Sequence, residues 1–148
     1  VSMEAYALCP RPLAGVSDWQ AGLDALGFDL QLRGTTIPPA SSGHLLAVRR
    51  GRASGFECSI VPFSELKETY PETDFAGSWP CVYAFWFGTI AESIGALMAI
   101  TVCVTSVGGL AFFPEDGRLL TADQAVRYAR ETVPAAEELE RQLGPGPE

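Results

Sequence analysis

With 148 residues the chain has the length of one domain and enough material for a hydrophobic core without disulfide or metal staples. Its 47% apolar and 19% charged residues exclude a disordered chain and imply a sheet with covered faces. A formal net charge of -8, with Lys67 the single lysine, sets a field that repels phosphate backbones and anionic membranes, so a basic protein is the expected partner rather than nucleic acid or lipid.

The opening Val1, Ser2 and Met3 lack the basic, then apolar, then small-residue grammar of a secretory signal, which makes a cytoplasmic location the expectation. A strand is predicted over 3–8. Ser17, with Gln20 three positions on, forms a capping box for a short helix that carries Trp19, Leu23 and Leu26 on one face and stops at Gly27, a left-handed C-cap. Residues 28–33 alternate apolar and polar, as a strand with one wet face does. Two further strands, 44–50 and 56–63, are separated by a loop at 51–55 and read as a hairpin. The almost wholly apolar Cys81-Val82-Tyr83-Ala84-Phe85-Trp86-Phe87 predicts a central strand covered on both faces.

Thr89 and Glu92 make a second capping box, opening a helix to about Val107 that is apolar nearly all round and therefore central. Leu110-Ala111-Phe112-Phe113 is a strand ended by the turn Pro114-Glu115-Asp116-Gly117. Thr121 and Gln124 open a third helix, in which Ala125, Tyr128, Ala129 and Val133 keep helical spacing up to Pro134; residues 135–143 continue as a kinked or separate turn. The order predicts a single α+β domain over 1–143, with a mixed, mainly antiparallel sheet of about five or six strands flanked by three helices. Residues 144–148 are a flexible tail, and 34–43 and 64–80 are long loops of the kind that carry function. Residues 93–114 are uncharged and long enough to span a bilayer, but Gly108-Gly109 divides the run and no basic residue flanks it, so no spanning helix is expected.

Little here assembles into chemistry. Cys9, Cys58, Cys81 and Cys103 lie far apart in apolar stretches without a C-x-x-C pair and read as buried free thiols of a reducing compartment. His44 is the single histidine, and no motif presents Cys58 or Cys81 to it as a nucleophile, so neither a triad nor a zinc set is expected, nor any cofactor. The capping role accounts for Glu92, and Glu115-Asp116-Gly117 lacks the further oxygen ligands of a calcium loop. Arg49, Arg50 and Arg52 cluster at the hairpin tip without a glycine-rich phosphate loop; a solvated tip, or one paired to carboxylates elsewhere in the chain, is expected.

The segment 65–79 is more informative, because Glu65, Glu68, Glu72 and Asp74 are interleaved with Tyr70, Phe75 and Trp79. Carboxylates complement a basic target and aromatics supply buried anchors, so Glu65, Glu68, Tyr70, Glu72, Asp74 and Phe75 are the candidate partner-binding residues. The competing reading is a solvated loop whose aromatics pack down onto the core.

The Gly55-Phe56-Glu57 strand start, the apolar helix from Thr89 and the run Gly108-Gly109-Leu110-Ala111-Phe112-Phe113-Pro114-Glu115-Asp116-Gly117 before the Thr121 helix resemble bacterial immunity proteins. The likeness covers most of the chain and is to the immunity partners of type VI secretion effectors, with nuclease toxins of the VRR-Nuc class as the implied targets. That resemblance implies a non-enzymatic function: stoichiometric binding of a cognate toxin in the cytoplasm of the producing cell. Two rival readings stand beside it. One is a small-molecule-binding or enzymatic domain with a pocket lined by Tyr83, Trp86, Phe112 and Phe113; the other is a structural homodimer joined through apolar strand edges.

Overall fold

The computed structural model describes residues 3–13, 15–33 and 44–143, with backbone only at His44. The predicted loop 34–43, the tail 144–148 and the His44 side chain lie outside the described residues. In chain order the elements are β1 (Met3–Cys9), α1 (Val16–Ala25), β2 (Gln31–Leu32), β3 (His44–Arg49), β4 (Arg52–Val61), α2 (Phe63–Thr69), β5 (Cys81–Phe87), α3 (Ile90–Val107), β6 (Leu110–Phe113), β7 (Arg118–Leu120) and α4 (Ala122–Gln142). The strands form one seven-stranded sheet in the order β2-β3-β4-β5-β1-β6-β7, antiparallel at every pairing. The α+β class is as expected. The additions are a fourth helix, α2, inside the supposed loop 64–80, and a seventh strand, β7, directly after the Gly117 turn.

The expected 51–55 loop does not form. Arg49 pairs with Arg52, leaving Arg50 and Gly51 alone at the turn with φ of 54° and 75°, the left-handed pair that a two-residue hairpin requires. The alternation over 28–33 is real in burial, since Phe28 and Leu30 are buried while Asp29 and Gln31 are exposed, yet only Gln31 and Leu32 join the ladder. Ser17 is not a cap. Gly15 precedes the first turn of α1, and Gln20 is used elsewhere: its amide donates to the Leu30 carbonyl at 3.0 Å and its oxygen accepts from Leu32 N–H at 2.8 Å, tying α1 to β2.

The other two caps form. Thr89 Oγ1 accepts from Glu92 N–H at 3.0 Å, while the Glu92 carboxylate accepts from Gly88 N–H at 2.9 Å, one residue upstream of a strict capping box. Thr121 and Gln124 complete the reciprocal box, and α4 runs as one helix through Pro134. Helix α3 meets the length and composition of a membrane span, but Ile94 to Val104 is buried without a break between the sheet, α1 and α4. Gly22 lets α1 approach closely, since a Cβ there would stand 2.4 Å from Val102 Cγ1.

Arg49 is also on this helical face and only 5% exposed. Its guanidinium donates to Glu137 at 2.9 Å and Glu140 at 2.6 Å, and Arg50 reaches Glu137 at 3.3 Å, so the hairpin tip is clamped to α4. All four cysteines are free and buried. Cys9 and Cys81 are paired across β1 and β5, and the Cys9 and Cys103 sulfurs stand 3.1 Å apart. Burial raises the Cys58, Cys81 and Cys103 thiols above the ordinary range, with the Cys9 hydrogen bond adding to the effect at Cys103.

Candidate partner-binding site

The opposite face of the sheet carries its own smaller core: Tyr6 and Leu8 of β1, Val82 and Ala84 of β5 and Phe112 of β6. What covers it is α2 and the segment after it. Pro62, extended at φ −64° and ψ 140°, precedes α2; Glu65 in the first turn and Lys67 in the last suit the helix dipole. Leu66 is buried against the sheet, and Thr69 Oγ1 donates back to the Glu65 carbonyl at 2.9 Å. The helix stops at Tyr70 because Pro71 disfavours helical backbone in the residue before it. Beyond it, Asp74 accepts from Ala76 N–H at 2.9 Å and the Trp79 indole donates to the Phe75 carbonyl at 2.8 Å, closing a compact turn.

The aromatics of the segment point inward. Phe75 is 4% exposed and meets Phe112 edge-on at 5.1 Å and Phe63 at 5.8 Å; Tyr70 is half-buried and meets Phe112 at 5.1 Å. Phe75 is therefore a support for the cap and not a contact surface, because its ring is spent on the sheet. The carboxylates go the other way: Glu65, Glu68, Glu72 and Asp74 are all exposed, with Lys67 the one base among residues 63–80. The segment thus divides by side-chain type, its aromatics packed on the sheet and its carboxylates in solvent. The cap stops short of the β2-β3 end of the sheet, where Leu46 is 61% exposed.

The sequence reading passed over Glu4, which accepts the Tyr6 hydroxyl at 2.6 Å and the Tyr70 hydroxyl at 3.4 Å. Burial, then the bond to Glu4, raises the Tyr6 hydroxyl well above the phenol range; burial also raises Tyr70, with Glu4 and Glu115 contributing. The signal was available as Glu4-x-Tyr6 in a strand, since period two places both on one face.

The aromatic pocket of the rival reading does not exist as a unit. Tyr83 faces the helices while Trp86 and Phe112 face the cap, on opposite sides of the sheet, and Tyr83 and Phe112 are each 1% exposed. Tyr83 is fixed by Trp19 edge-on at 5.4 Å and accepts Leu13 N–H at 3.2 Å. Among the described residues no group of three or more His, Cys, Asp or Glu side chains is placed to hold a metal ion. Comparison with family models, with curated proteins and with solved structures found no match to this chain.

Proposed function

We propose that this chain is an immunity-type inhibitor, which neutralises a cognate antibacterial toxin by stoichiometric binding. The observation that carries the reading is the cap: four carboxylates, Glu65, Glu68, Glu72 and Asp74, displayed on a support whose aromatic side chains are packed into the sheet. Such a surface is preorganised, so little ordering entropy opposes binding, and its charge accelerates encounter with a basic target. A nuclease fits that description, because it holds polyanionic nucleic acid with basic residues that an acidic protein can occupy instead.

The test is co-expression with the adjacent toxic open reading frame. Restored growth and copurification of the two products support the reading; an adjacent product that is harmless, or that never copurifies, removes it. Replacing Glu65, Glu68, Glu72 and Asp74 together by lysine is expected to slow association by about tenfold or more at low salt and to flatten its salt dependence, as measured by stopped-flow mixing. Unchanged kinetics would take the cap out of the interface.

A further inference from the structure

At the end of the sheet where β1 begins, α3, α4 and the strands leave a cleft of about 270 Å³. Ile94 and Leu97 of α3, Val133 and Ala136 of α4, and Phe87 and Phe113 of the sheet make it apolar. Three carboxylate residues, Glu4, Glu115 and Asp116, also line it, and among the described residues no lysine or arginine does. Arg118 lies over the ring of the lining residue Tyr128, 5.2 Å from its centroid. Met3, which lines the cleft, is 41% exposed, and Leu139, three positions after the lining residue Ala136 on α4, is 47% exposed.

We infer that this cleft is a docking site for a protein segment that presents one bulky aliphatic or aromatic side chain flanked by lysine or arginine. Its volume falls below the roughly 300 Å³ at which pockets for drug-sized ligands begin, so an inserted side chain suits it better than a whole metabolite. A second copy of this chain is a poor occupant, because a two-fold contact would set the exposed Glu115 and Asp116 against their own duplicates on a molecule of net charge -8. A basic segment satisfies both features at once: its apolar anchor is removed from water while its cations meet the rim. The inference deepens the immunity-type reading and rests on it for the partner's identity alone.

The experiment is a titration of the methyl-labelled full chain with a synthetic pentapeptide, one phenylalanine between two lysines on each side, followed by NMR. The methyl signals of Met3, Ile94 and Leu97 are expected to shift and saturate, and a peptide with alanine for phenylalanine is expected to leave them in place. Glu115→Lys with Asp116→Lys, in an exposed turn, should weaken the peptide about tenfold at low salt. Ala136→Trp should fill the cleft and abolish the shifts. Methyls that stay still, or that respond equally to the alanine peptide, overturn the inference. So does a wild-type dimer in sedimentation that Ala136→Trp dissolves, since the occupant would then be a second copy. Lysine substitution of the four cap acids should leave the cleft shifts intact, which separates the two claims: peptide binding without a toxic neighbour retains the cleft and removes the immunity reading, and a toxin bound with these methyls unmoved does the reverse.

Discussion

Gly109 sits where α3 hands over to β6, and the Leu8 carbonyl oxygen lies 2.1 Å from where its Cβ would be. That oxygen is backbone in the middle of the sheet and cannot step aside, so Gly109→Ala is expected to cost about 1–3 kcal/mol, seen as a lower urea midpoint at unchanged slope. Gly22 is the gentler case, because the obstacle is a side-chain methyl of Val102. Gly22→Ala should lose less, and Val102→Ala in the same chain should recover part of the loss as a positive coupling. Arg49 poses a different problem: Glu137 and Glu140 take two of its guanidinium nitrogens, but its Nε is buried without a partner. Removing both acids strands a buried cation and is expected to cost about 3–5 kcal/mol, whereas Arg49→Met with Glu137→Leu should stay within about 1 kcal/mol of the wild type. Equal losses in urea melts would show that the guanidinium reaches water.

Elements whose instructions are local were legible in the sequence. Thr89 to Gly108 carries its own start and stop, the latter in the left-handed region at φ 76°, and β5 is bounded by Pro80 and Gly88. Thr89→Ala should therefore cost about 1 kcal/mol, measured by thermal or urea unfolding, through the cap alone. Elements that depend on tertiary contact were not legible. Helix α2 has seven residues, too short to stand on propensity, and exists because Leu66 and Phe63 find the cap core. β7 is three residues long and is defined by β6 beside it. Ser17 with Gln20 matched a capping box in type and spacing, but Gln20 was claimed by β2, a partner ten or more residues away. The candidate site divides along the same line. The exposure of Glu65, Glu68, Glu72 and Asp74 follows from their charge, while the inward turn of Tyr70 and Phe75 needed Phe112, and the apolar cleft needed the spacing of α3 from α4.

At the scale of the whole molecule, two hydrophobic layers share one sheet, and the thiols lie in the larger of them. Cys58 and Cys103 stay protonated in the fold by burial, whereas in the unfolded chain they ionise near about pH 8.5. The native state then holds more protons than the unfolded one above that point, so the stability these groups contribute is complete below it and is lost as pH rises. Each adds a slope of about 1.4 kcal/mol per pH unit, and the urea midpoint is expected to be level between about pH 6 and 8 and to fall from about pH 9. A midpoint unchanged to about pH 10 would mean that the thiols are hydrated.

The sheet order places β1 between β5 and β6, so the first strand of the chain is the keystone of the sheet and not its border. Residues far downstream, 81–87 and 110–113, must exist before Met3–Cys9 can be seated on both sides. The strand is therefore held by partners far from it in sequence, and without it β5 and β6 each lack a neighbour on that side. A chain severed after the strand should stay open until a synthetic peptide of residues 1–12 is returned to it, and the recovery of near-ultraviolet circular dichroism would report the closure.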